Sequence, residues 1–179
     1  MRKTVKRKLA LMMIFGAFQI LTASGKQTPL STVDYVDLDR FMGNWYVIAS
    51  IPTMFETHAV NAIENYTWNE KGYVDVTFTY YQDKPDGRLK MMTQKGFIFD
   101  TKTNAEWRVQ PLWPFKFGYL VIELDAEYRY TVIGVPNRKY VWIMAREKQI
   151  PPLIYEEILT RLEQQGYHSQ KIQKVPQVW

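Results

Sequence analysis

Residues 41–50 read "FMGNWYVIAS". Gly43, one polar residue and then Trp45-Tyr46 stand where a run of β-type residues begins. A strand requires neither a glycine nor a tryptophan at its start, so this pair needs a reason outside the strand itself. Working outward, short β-like runs follow one another from Trp45 to Arg146, with turn signals between them. The segment 73–82 is the clearest. Val74, Val76, Phe78 and Tyr80 are apolar and Asp75, Thr77 and Thr79 are polar, the period-two pattern of a half-buried strand. Eight such runs are expected, at 45–51, 61–69, 73–82, 89–99, 105–111, 117–124, 128–135 and 139–146. Hairpin punctuation separates them, as in Asn69-Glu70-Lys71-Gly72, Lys84-Pro85-Asp86-Gly87 and Pro136-Asn137-Arg138.

The period then changes. "PPLIYEEILTRLEQQG" (151–166) opens on prolines tolerated in a first helical turn and ends on Gly166, with Ile154, Ile158 and Leu162 every four residues. This predicts one amphipathic helix, followed by a short terminal strand near 171–175. Eight successive antiparallel strands leave exposed edges unless the sheet closes on itself. Eight is also the strand number whose barrel holds one small ligand or is filled by its own side chains. In 140–145 both faces are apolar: Val141, Ile143 and Ala145 on one, Tyr140, Trp142 and Met144 on the other. A strand apolar on both sides is covered on both, here by the barrel interior and the helix. The expected fold is all-β: an eight-stranded antiparallel up-and-down β-barrel with a C-terminal α-helix.

The chain of 179 residues is one domain in length, with a net charge of +5 and a pI near 9.3. That charge is local. Arg2, Lys3, Lys6, Arg7 and Lys8 come before any acidic residue, and removing those five from the 23 Lys and Arg leaves 18, equal to the 18 Asp and Glu. A nucleic-acid partner is therefore not expected. The five charges precede Leu9 to Leu21, thirteen mostly apolar residues, and then Ala23, Ser24 and Gly25. This is the layout of a secretory signal peptide, and the apolar run is shorter than the about 20 residues that span a bilayer. The expected division is 1–25 as leader and 26–179 as the folded domain. Leu21-Thr22-Ala23-Ser24 ends like a lipoprotein signal with serine in place of the lipidated cysteine, and the chain has no cysteine. Two readings stay open: a soluble periplasmic or secreted protein, or a relative of outer-membrane lipoproteins whose cysteine was lost or replaced at Ser24.

Three motifs in register resemble the lipocalin family. Gly43-Asn44-Trp45-Tyr46 is similar to its Gly-x-Trp signature, "ELDAEYRYTVIG" (123–134) to its second motif, which keeps Asp125, and Arg146 ends "YVWIMAR" where the family has an arginine on the eighth strand. "NWYVIASIP", "LDAEYRY" and "YVWIMAR" resemble the bacterial, Blc-type lipocalins and their apolipoprotein D-like relatives. The resemblance covers about residues 34–179. It implies that Trp45 plugs the closed end of the barrel, that Arg146 lies across the indole, and that Gly43, Trp45, Asp125 and Arg146 are architectural. A cation over a tryptophan face contributes roughly 0.5–2 kcal/mol.

Parity then assigns a lining. With Trp45 inward, Val47 and Ala49 follow; counting back from Arg146, Met144, Trp142 and Tyr140 do too. Val74, Val76, Phe78 and Tyr80 face in from the third strand, Trp107 and Val109 from the fifth, Tyr119 and Val121 from the sixth. The fourth (Met92, Gln94, Gly96, Ile98) alternates poorly. Glu64, Tyr66 and Trp68 share inward parity on the second strand. The candidate ligand-contacting set is Val47, Ala49, Glu64, Tyr66, Val76, Phe78, Tyr80, Val109, Tyr119, Val121, Tyr140 and Trp142. An inward Glu64 has two readings: it pairs a cationic ligand group or titrates high through desolvation, or it is solvated at the rim or satisfied by a neighbour. At the mouth, "LWPFKF" (112–117) sets Trp113, Phe115 and Phe117 beside basic Lys116 and Arg138. That rim suits a phosphate head group or brief contact with a membrane surface; the alternatives are a lid over the mouth or a dimer contact, so monomer and homodimer both stay open.

The expected function is binding, storage or transport of a small hydrophobic ligand, a fatty acid or lysophospholipid, in the cell envelope. A protein-interaction module using the rim is the alternative. A lipid hydrolase built on Glu64 ranks last: no Gly-x-Ser-x-Gly occurs, and His58 and His168, the only histidines, lack metal-ligand spacing. No catalytic residue, metal or cofactor is expected.

Overall fold

The computed structural model describes residues 28–179. The expected leader at 1–25 lies outside them. Eight antiparallel strands form the barrel: β1 (Gly43–Ile51), β2 (Ala59–Asn69), β3 (Tyr73–Gln82), β4 (Leu89–Ile98), β5 (Glu106–Leu112), β6 (Phe115–Leu124), β7 (Tyr130–Gly134) and β8 (Val141–Ala145). Each pairs with the next, and β1 closes the ring by pairing with both β8 and β2. Every expected run meets one strand.

Strict alternation gives the barrel its inside. In β3, Val74, Val76, Phe78 and Tyr80 are buried while the residues between them are only partly so. Helix α2 (Pro152–Gln164) lies on the outside. Its buried Tyr155, Ile158 and Leu162 pack on Leu120, Ile122, Val132, Val141 and Ile143, the outward residues of β6, β7 and β8. An ion pair from Arg161 to Glu123 at 2.8 Å pins it there, and Gly166, at φ 86°, ends it in a conformation that favours glycine.

The lead-in is more structured than its polarity suggests. A four-residue helix, α1 (Leu38–Phe41), caps the closed end, with Asp37 Oδ1 accepting from the backbone N–H of Asp39 and Arg40. It exists to deliver Phe41, which is fully buried, beneath Trp45. Arg146 holds this helix end. Its guanidinium lies 3.8 Å over the Trp45 ring and donates to the carbonyls of Arg40, Phe41, Met42 and Asn44 at 2.7–3.1 Å. The carbonyls of Arg40, Phe41 and Met42 are the orphans a short helix leaves at its end, and that of Asn44 belongs to the start of β1. Gly43 turns the chain from α1 into β1 at φ 93°, a left-handed conformation that side chains resist, with Arg146 alongside. Asp125 organises the adjacent β6–β7 turn by accepting from Arg129 through both carboxylate oxygens at 2.8 Å, and that guanidinium holds its carboxyl below the usual range. Arg40 donates to Ala126 of the same turn. All three sequence motifs therefore meet at one end of the barrel.

The other end is looser. β1 and β2 pair only from Gly43↔Tyr66 to Tyr46↔Ile63. Above that the C-terminal tail fills the gap: β9 (Gln173–Lys174) pairs with Ala49 and Ser50 of β1, and buried Asn61 of β2 clamps Val178 through its side-chain amide at 2.5 and 2.6 Å. β4 pairs with β5 only over Lys95–Ile98.

Candidate functional site

The closed half of the barrel is filled. Phe41, Trp45, Tyr66 and Trp107 pack with ring centroids 5.2–5.9 Å apart, and the series continues upward through Tyr119 to Trp142 and Tyr140 at 5.8, 6.4 and 6.3 Å. The open half is a cup. Val47, Val76, Phe78, Tyr80, Val109, Tyr119 and Val121 are buried on its inner face, with Met92 and Trp142 partly buried against them. Lys90 stands directly opposite Tyr80 and Gln94 opposite Val76, so both also face in, although β4 alternates weakly as a sequence.

Glu64 sits deep, opposite Trp45 in the wall and 6% exposed. Its Oε2 accepts from the Tyr66 hydroxyl at 2.8 Å, the Tyr119 hydroxyl contacts that of Tyr66, and Gln94 Nε2 lies 3.5 Å from Oε1. The solvated-rim reading of Glu64 is thereby replaced: the second strand runs from mouth to floor and carries the carboxyl below the rim. Burial pushes the Glu64 carboxyl up to about 7, with the Glu56 carboxylate adding to the rise and the hydroxyl of Tyr66 opposing it. Burial also raises the Tyr66 and Tyr119 phenols well above their ordinary values.

Glu56 is the residue that alternation could not find. It lies in the β1–β2 loop, yet Oε2 accepts from Trp142 Nε1 at 3.1 Å and from the Thr53 N–H at 3.2 Å, and burial raises its carboxyl. No periodicity extends into a loop, so only the tertiary contact with Trp142 reveals it.

Several expected positions are corrected. Ala49 does not line the cup. A register shift in the β1–β8 pairing between Val47 and Ala49 reverses the alternation, and Ala49 packs outside with Ile158 and Leu162. Arg138 is not free at the rim, because its guanidinium donates to the carbonyls of Gln165 and Thr28 on the outer side. Lys116 lies over the Phe97 ring at 3.9 Å, also outside, since it alternates with inward Phe117 and Tyr119. Trp68 is 40% exposed and lies toward the closed end of β2, away from the cup.

The rim itself is apolar and open. Trp113 is 81% exposed, and Leu112, Phe115 and Phe117 of the same hairpin and Met54 and Phe55 of the β1–β2 loop are exposed too. A cleft of about 270 Å³ opens beside the mouth, where Glu56, His58 and Asp83 face the tail residues Lys174 and Val175. Among the described residues no helix is long and apolar enough to cross a membrane.

A family model described as a lipocalin-like domain matches residues 36–177. The outer membrane lipoprotein Blc of Escherichia coli (strain K12) is 30% identical over 159 residues, covering 87% of this chain and 89% of that protein. The temperature-induced lipocalin-1 of Arabidopsis thaliana is 29% identical over 157 residues, covering 83% of each. Among solved structures, insecticyanin from the tobacco hornworm Manduca sexta superposes with a TM-score of 0.66 at 16% identity, covering 86% of this chain and 87% of that one. Lobster apocrustacyanin A1 gives 0.63 at 12% identity over 79% of each chain. These last two speak to the fold alone.

Proposed function

Since this chain belongs to the lipocalin family, whose members generally bind and carry small hydrophobic molecules, we propose that it carries a single-chain lipid, a fatty acid or lysophospholipid, in the cup above Tyr119. The observation that carries the reading is the make-up of the inner face: apolar and aromatic from Val47, Val76, Phe78, Val109 and Trp142, blocked below by Trp45 and Trp107, and partly exposed above at Lys90, Met92 and Trp142. An elongated apolar chain enters such a site from one end only, leaving its head group at the rim. Lys90, at the top of the inward face of β4, supports an anionic head there in place of Arg138 and Lys116. The exposed ring of Met54, Phe55, Leu112, Trp113 and Phe115 supports brief contact with a lipid surface during loading. Relatives named as outer membrane lipoproteins support a place in the cell envelope. The proposal assigns no bond-breaking chemistry to the cup.

The experiment is intrinsic tryptophan fluorescence of the folded, delipidated full chain, titrated with lysophosphatidylcholine and with a fatty acid of matched length. A saturable change near one equivalent is expected for at least one of them. Absence of saturation with both overturns the carrier reading and favours the apolar rim as a protein-docking surface.

A further inference from the structure

The cup has apolar walls and a polar floor. Glu64 Oε2 holds a hydroxyl donor at 2.8 Å, whereas Oε1 has only Gln94 Nε2 at 3.5 Å, the outer limit of a hydrogen bond. An ionised carboxylate has about four acceptor positions, so Glu64 retains capacity toward the cup. The floor is also reachable. Gln94 shares the inner face with fully buried Val76, its direct partner, and is itself partly exposed, as are Met92 and Lys90 above it on the same face. A second carboxyl, Glu56, hangs above at Trp142. Cationic Lys90 stands at the top of the same strand, four residues or about 13 Å along β4 from Gln94. The inner surface thus runs from a rim that carries Lys90 and Glu56 to the Glu64 carboxyl further in.

That order argues against an anionic group at depth and for a donor there. A carboxylate or phosphate pushed to the floor meets Glu64, whose like charge repels it in a medium of low dielectric. A plain methyl end covers the acceptor and leaves it without a donor, which is costly for a buried polar group. An alcohol or a primary amine supplies the missing hydrogen.

We propose that the cup selects single-chain lipids bearing a second polar group, an alcohol or primary amine at or near the inner end, which donates to Glu64 while the anionic head stays at the rim beside Lys90. The proposal rests on the carrier reading above and narrows its ligand class from any acyl chain to an end-functionalised one. Glu64 is then the specificity-determining residue, with Tyr66, Tyr119 and Gln94 positioning its carboxyl.

The test is calorimetric titration of the full chain at pH 8 with dodecanoate, 12-hydroxydodecanoate and 12-aminododecanoate, which share chain length and head group. The two ω-substituted ligands should bind at least tenfold tighter than dodecanoate, although each is the less hydrophobic molecule. In the Glu64→Leu variant that order should reverse, and in Glu64→Gln the amine should lose its advantage over the alcohol. Dodecanoate binding as tightly as the other two in the unaltered chain overturns the proposal while leaving the carrier reading intact, and this comparison needs no variant to fold. A margin unchanged in Glu64→Leu assigns the preference to other residues and also overturns it. If none of the three, nor lysophosphatidylcholine, saturates the protein, the carrier reading itself has failed.

Discussion

Glu64 and Arg146 show how differently two charged residues behave in one barrel. Arg146 is half-buried, which lowers its proton affinity, but four carbonyls and an indole face compensate its charge and tie the closed end together. Glu64 is desolvated without a cation, so its charge destabilises the fold. The sign of the pH dependence follows. The carboxyl titrates near 4.5 in the unfolded chain and at about 7 in the folded one. Between those values the folded state holds the extra proton, and stability falls as pH rises through this window. The shift corresponds to about 3 kcal/mol, lost by the time pH exceeds the folded value. Urea unfolding at pH 5 and pH 8 should show much of that loss in the unaltered chain, and a much flatter profile in Glu64→Gln. Equal slopes in the two proteins would assign the pH dependence to Glu56 or to other groups.

At the scale of elements, the barrel is covered unequally, and helix α2 supplies the cover over β6, β7 and β8. Its inward stripe was legible because the spacing of Ile154, Ile158 and Leu162 fits a helix period. Ile158 is fully buried against the outward strand residues, while Leu153 in the first turn is 71% exposed. Ile158→Ala should therefore lower stability by about 2–5 kcal/mol, and Leu153→Ala by less than about 0.5 kcal/mol, read from the midpoints of denaturant unfolding. Similar losses for the two would mean the helix packs in another orientation. The strand β1 carries the opposite lesson. Its apolar pattern through Val47 and Ala49 looks regular, but one register shift sends Ala49 to the helix side. A bulge of this kind arises from pairing with β8, and nothing in the strand's own residues announces it.

For the whole molecule, the barrel divides into a packed half and an open half, and the six tryptophans sample both. Trp45 and Trp107 are sealed in the packed half, Trp113 is exposed on the rim, and Trp142 borders the cup beside Tyr119. Ligand in the cup should change the emission of Trp142 above all. Trp142→Phe should remove most of the ligand-induced change in fluorescence, whereas Trp68→Phe should leave it nearly intact. The reverse result would place the ligand at the other end of the barrel.

By itself the sequence determined the strand count, the helix, the antiparallel order and the three motifs that meet at the closed end. These depend on periodicity and on local chemistry such as Gly43 before Trp45, which each segment carries within itself. It also marked most of the inner face, because alternation survives in β3, β5 and β6. Tertiary structure alone decided the rest: that Ala49 turns outward, that Arg138 and Lys116 are bound on the outer side, that Glu56 reaches Trp142 from a loop, and that Glu64 lies buried between two phenols. Each of these depends on at least one partner 19 or more residues away in the chain, or on a bulge that pairing imposes. A side chain's burial and its proton affinity are properties of what surrounds it, and those surroundings exist only once the barrel has closed.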